Sequence, residues 1–140
     1  MINVIAMAAL GFALAGCATQ YGSVGFAGGH TNKAGPGKLQ KVEFHGNGFI
    51  TSDTVQQFAL YRCAELAQQS GKPHFMIYES LYTAALDRPA KLPRVGTLGN
   101  KPSASAFMLL LDQPRYGSQA TQSVLTELDS VVHPKPATTK

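Results

Sequence analysis

The chain has 140 residues, 44% of them hydrophobic and 14% charged. That length holds one domain and excludes two, and the apolar content suffices for a packed core. Twelve Lys and Arg against eight Asp and Glu leave a formal charge of +4, which permits contact with anionic surfaces of any kind and selects none of them.

Residues 4–13 read VIAMAALGFA, and no charged side chain occurs before Lys33. Spanning a bilayer takes about 20 apolar residues, so this shorter run fits the apolar core of an export signal instead. It ends in Leu14-Ala15-Gly16-Cys17. A branched apolar residue, two small residues and a cysteine in this register resemble the lipobox of bacterial lipoproteins. Small residues let an extended backbone enter a peptidase groove, and the thiol accepts diacylglycerol. The resemblance implies that residues 1–16 are a signal peptide and that acyl chains on Cys17 hold the mature chain on a membrane, at about 0.8 kcal/mol per buried CH₂. Met1-Ile2-Asn3 supplies no Lys or Arg to the signal. The competing reading is a buried helix with Cys17 as a core thiol, and the Gly content of the segment counts against it. Ala18, rather than Asp, after the cysteine looks like an outer-membrane, periplasm-facing address.

Residues 17–38 hold six Gly among small and polar residues and are expected to be the acylated Cys17 and a flexible tether. A Gly-rich edge strand around Tyr21 to Phe26 is the alternative. From Leu39 to His45 the alternation of Val42 and Phe44 predicts a half-buried strand. Gly46-Asn47-Gly48 signals a turn. Thr51 or Ser52 caps a helix whose first turn carries Asp53; it runs to about Ser70, ended by Gly71 and Pro73. His74 to Tyr82 reads as a second strand. Thr83 to Ser103 reads as a long irregular loop carrying Arg88, Lys91, Arg94 and Lys101 against Asp87 alone. Ala104 to Leu111 is apolar on both faces, as a central strand is. A second helix follows over Ser118 to about Val132, with Pro134 and Pro136 opening a disordered tail over residues 133–140. The expected fold is α+β: one domain over residues 39–132, a small, mostly antiparallel sheet of three to four strands with two helices packed on one face.

On the first helix Val55, Phe58, Ala59, Arg62 and Leu66 share a side, with Cys63 at its margin. Arg62 thus falls inside an apolar stripe. It is either a packed, paired arginine or an anion-binding residue. Cys63 has no partner in the chain if Cys17 is acylated, so in an oxidising periplasm it is buried and inert or bridges to a second chain.

The stretch from Phe44 to Leu66 reads FHGNGFITSDTVQQFALYRCAEL. With the lipobox, Gly28-Gly29 and the segment from Tyr116 to Leu128, it resembles a family of small, uncharacterised envelope lipoproteins of Gram-negative bacteria. The family pattern falls on Gly46-Asn47-Gly48-Phe49, Thr51-Ser52 and Leu60-Tyr61-Arg62-Cys63-Ala64-Glu65-Leu66. It departs at the inserted Ile50 and at Cys63, where Ala is usual. The resemblance implies an address and a fold and brings no catalytic residues with it.

His30, His45, His74 and His133 have no metal-ligand spacing with each other or with the two Cys. Gly35-Pro36-Gly37-Lys38 imitates part of a phosphate loop, but Leu39 stands where Ser or Thr is required. No catalytic constellation and no cofactor is expected. Arg88, Lys91, Arg94 and Arg62 are the candidate anion contacts; a plain solvated loop is the alternative for the first three. No aromatics interleave with these charges, which argues against nucleic acid as a partner. The function expected is a non-enzymatic binding module of the envelope, facing another envelope protein or an anionic surface polymer. The alternatives are a structural subunit of an outer-membrane secretion or motility assembly, and, last, an enzyme on cell-wall or lipid substrates.

Overall fold

The computed structural model describes residues 18–25 and 28–136. The signal segment, Leu14, Ala15, Gly16 and Cys17 lie outside them, as do residues 137–140 of the expected tail. The chain order is β1 (Gly29–Ala34), β2 (Gln40–His45), α1 (Ser52–Gln69), β3 (His74–Tyr78), α2 (Leu81–Ala85), β4 (Arg94–Leu98), β5 (Lys101–Leu111), β6 (Gln119–Ala120) and α3 (Thr121–Val132). This is an α+β fold with one antiparallel sheet of six strands, ordered β1-β2-β5-β3-β6, with β4 also paired to β5.

The sheet is larger than the three to four strands expected. Two additions came from segments read as irregular. Gly29–Ala34, placed in the tether, pairs with β2 over six residues from Gly29↔His45 to Ala34↔Gln40. Arg94–Leu98, placed in the basic loop, forms a hairpin with β5 from Arg94↔Ser105 to Leu98↔Lys101. Both strands are short, polar edges that owe their conformation to a partner and not to their own propensity.

β5 organises the sheet. Its first half pairs with β2 on one edge and β4 on the other, and its last five residues pair with β3, Tyr78↔Phe107 to His74↔Leu111. β4 and β3 therefore lie in tandem along one edge of a single long strand. Pro102, Ala104, Ala106 and Met108 alternate as its buried face. They meet Val42 and Phe44 of β2 and Phe75 and Ile77 of β3 in the core. Met76 and Tyr78 are buried on the opposite face, by the period-2 rule.

α1 begins as its sequence dictates. Thr51 Oγ1 accepts from the Thr54 N–H at 3.2 Å, and Asp53 sits at the positive end of the helix. Gly71, at φ +66°, lets the chain turn out, with the Lys72 N–H on the Ala67 carbonyl at 2.8 Å. The helix has two buried sides and not one stripe. Val55, Phe58, Ala59 and Cys63 belong to the core, but so do Leu60, Tyr61, Ala64 and Ala67. The second side exists because α3 packs on α1 and on β6, presenting Val124, Leu125, Leu128 and Val132. Only in part, then, do the helices share one face of the sheet: α1 lies on it and α3 covers α1.

Candidate functional site

The densest polar contacts lie where the N-terminal arm meets α1. Tyr21 reaches from the arm into a ring of aromatics. Phe58 and Tyr61 stand edge-on to it at centroid distances of 5.5 and 5.2 Å, Phe44 stacks at 6.2 Å and His30 leans over it at 5.2 Å. The Tyr21 hydroxyl donates to Glu65 Oε2. Arg62 Nη1 donates to the same oxygen at 3.0 Å, and Arg62 Nη2 to Asn32 Oδ1 on β1 at 3.1 Å.

The i, i+3 spacing of Arg62 and Glu65 places both on one side of α1, and β1 supplies Asn32 opposite. Arg62 keeps 14% of its side chain exposed. Its charge is matched within the chain, which is the packed, paired arginine of the sequence reading. Its Nε is buried without a hydrogen-bond partner among the described residues. Burial and the neighbouring carboxylate hold the Tyr21 hydroxyl far above the ordinary tyrosine range. Burial, then the Arg62 guanidinium, pulls the His30 imidazole below its usual value. The neutral phenol and the paired guanidinium tie the arm to α1 and β1.

Glycine makes the approach possible. Gly28 and Gly29 have φ of +104° and +135°. A Cβ on Gly28 would collide with the His45 carbonyl, and one on Gly29 with the Ser23 backbone. The Gly-Gly of the family resemblance thus falls where the arm folds back on β2. Where a flexible tether was expected and an edge strand was the alternative, isolated bridges, Ser23↔His30 and Gly25↔Gly28, lead into β1.

The four candidate anion contacts do not assemble. Arg88 and Lys91 share an open cavity of about 500 Å³ with Gln56, Glu79 and Thr83. Arg94 is exposed on β4 and does not line it, and Arg62 belongs to the arm contact. Arg115, outside that prediction, pairs with Asp87 at 3.0 Å, and Asp87 also accepts from the Tyr78 hydroxyl at 2.6 Å. Burial, then Asp87, pushes that hydroxyl up to about 12.

A groove of about 720 Å³ among the described residues runs beside the arm contact. Ala18 to Tyr21, Phe49 to Thr51 and Val131 to Pro134 line it, with Thr54 and Phe58 of α1. Sequence reasoning missed it because it is made by three segments far apart in the chain, two of them read as tether and tail. The available signal was Tyr21, a large aromatic that with Phe26 interrupts a run of small residues.

Cys63 is fully buried, and burial pushes its thiol up to about 12, so it is inert as a nucleophile. Among the described residues no three His, Cys, Asp or Glu side chains are grouped to hold a metal ion. No helix among them is long and apolar enough to cross a membrane. In comparisons with known proteins, no family model, no curated protein and no solved structure matches the chain.

Proposed function

We propose that this chain is an acyl-anchored envelope lipoprotein: exported on residues 1–16, cut before Cys17, lipidated on that cysteine, and held on the periplasmic side of an outer membrane. It belongs in this reading with the small Gram-negative envelope lipoproteins it resembles. One observation carries the proposal, the lipobox Leu14-Ala15-Gly16-Cys17 in register behind the apolar run of residues 4–13. Mass spectrometry of the native protein tests it. The expected product begins at Cys17 and carries diacylglycerol; an unmodified chain starting at Met1 overturns the proposal.

The anchored domain acts as a non-enzymatic binding module. Leu81, Tyr82 and Leu86 on and beside α2 are exposed together with Leu92, next to the cavity that holds Arg88 and Lys91. Apolar side chains beside two positive charges, Arg88 and Lys91, and one carboxylate, Glu79, favour an envelope protein with an acidic surface over a polysaccharide. The same patch supports the second reading, a subunit of a larger outer-membrane assembly. Photocrosslinking from position 82 in intact cells separates these: one adduct of defined mass supports a binding partner, a ladder of adducts an assembly. No adduct from position 82 or 91 overturns the module.

A further inference from the structure

The described arm is fixed to the domain from Thr19 onward, two residues after Cys17 in the sequence. Thr19 is 4% exposed, and its hydroxyl accepts from the Asn47 N–H at 2.8 Å. Tyr21, two residues on, is locked between Glu65 and four aromatic rings. Cys17 stands one Cα–Cα step, about 3.8 Å, before Ala18. Acyl chains on Cys17 would set its backbone at the level of the lipid headgroups. The end of the domain that carries Ala18 would then lie against lipid, where a free tether would let it stand away.

That end has the surface for it. Phe49, 66% exposed, rims the groove that Ala18 lines. Val24, 52% exposed, and Leu98, 82% exposed, line an adjoining cleft of about 430 Å³. The Gly46–Ile50 turn joins the two: Asn47 bonds to Thr19, and the Gly46 N–H bonds to the Pro102 carbonyl at 2.8 Å. Lys101, His45 and His133 stand among the lining residues of these two hollows; no Asp or Glu lines either, and Glu43 and Asp129 stand behind the two imidazoles, at 3.6 Å from His45 and 3.1 Å from His133. Asp53, the nearest carboxylate in sequence to Phe49, lines neither.

We propose that this end is a membrane-contact face, with Phe49, Val24 and Leu98 seated at the headgroup level of an anionic bilayer and Lys101 against its phosphates. The proposal rests on the acylation of Cys17 argued above. It makes the lipid surface the occupant because the chain leaves the domain for Cys17 at this end. Tyr116 provides the control. It is 97% exposed and follows the opposite end of β5, whose last residue, Leu111, lies roughly 33 Å from Lys101 at the usual rise per residue.

The test uses the acylated full chain in vesicles of phosphatidylethanolamine and phosphatidylglycerol. A solvent-sensitive probe is attached in Phe49→Cys, Leu98→Cys and Tyr116→Cys, each with an unchanged circular dichroism melt. Cys63, at 0% exposure, does not compete for the label. Probes at 49 and 98 are expected to shift to the blue and to be quenched by nitroxide lipids severalfold more than the probe at 116. Equal quenching at all three positions, or more at 116, overturns the face. The mass of each sample distinguishes the failures: an acylated chain with unquenched probes at 49 and 98 removes this inference alone, whereas an unacylated chain removes the anchor and the face together.

Discussion

The N-terminal arm, residues 18–25, and the segment from Glu79 to Asn100 differ in charge and in how they are held: the arm has no charged side chain and the segment has five. Both are poor in core residues, and from Thr83 onward the second reads as irregular like the first. The arm is fixed by side chains at two points, Thr19 on Asn47 and Tyr21 on Glu65 and its aromatic ring, and by backbone bonds that tie Gly22 and Val24 to His30 and Gly25 to Gly28. The second segment is fixed at many. Ser80 and Thr83 close a capping box on α2, Ala90 bridges Ile77, the Pro93 carbonyl accepts from Gln56 at 2.7 Å, and β4 runs five residues along β5. Concentrated contacts make an element that one substitution releases; distributed contacts make one that no single substitution does. For a chain proposed to be tied to a membrane at Cys17, the arm is also the part that sets how closely the domain lies.

The largest effect is therefore expected at Tyr21. Tyr21→Ala removes a large ring from the core margin and leaves Glu65 with Arg62 alone, a loss of about 3 kcal/mol. Amide exchange should become fast over residues 18–25 while β2 and β5 keep their protection. Tyr82→Ala in the other region, at 70% exposure, should change stability by no more than about 0.5 kcal/mol. A comparable loss at both tyrosines in chemical denaturation would erase the contrast.

A smaller effect is expected from Asp87→Asn. Asp87 sits at φ +48°, a conformation Asn tolerates, so the turn survives. The substitution weakens the Tyr78 hydrogen bond and the exposed Arg115 pair, which together are worth about 1 kcal/mol. The Tyr78 hydroxyl, now near about 12, should titrate closer to the ordinary tyrosine value in ultraviolet difference spectra. An unchanged titration would mean that burial alone holds it there.

What the sequence made legible were the elements with their own signals. α1 announced its cap in Thr51 and its end in Gly71, and β5 announced its central place by being apolar on both faces. β1 and β4 gave none, since strands such as GHTNKA and RVGTL are ordered by the partner they pair with. The second buried side of α1 was likewise hidden: Tyr61 and Ala64 face α3, whose position depends on the return of β6 beside β3. Arg62 was readable as an anomaly in an apolar stripe, and Glu65 three residues on was in view as its natural partner. Its other contacts, Asn32 and the arm through Tyr21, were not, because they span 30 residues and more.

The smallest effect tests whether the arm answers to pH where the other region does not. His30 faces Tyr21, Arg62 and Glu65, and burial with the Arg62 charge lowers its affinity for a proton in the folded state, Glu65 opposing them. Between that lowered value and the ordinary 6.5, the unfolded chain binds a proton that the folded chain does not, so stability falls as pH drops through this window and then levels. Tyr21 acts at the other extreme. Its raised value keeps the folded phenol neutral while the unfolded one ionises above 10.0, so its contribution is complete below that pH and is lost as pH rises. His30→Gln should flatten the melting temperature between pH 7 and pH 5.5 and leave the alkaline limb intact, and Tyr21→Phe should keep the acid decline and lessen the alkaline one, to which Tyr61, Tyr78 and Cys63, also raised, still contribute. Glu43, whose carboxyl Lys41 holds below its usual range, contributes only at lower pH and should act alike in both variants. If His30→Gln retains the full acid decline, the proton is taken elsewhere, and the arm is held by packing and the Arg62–Glu65 pair without regard to the imidazole beside them.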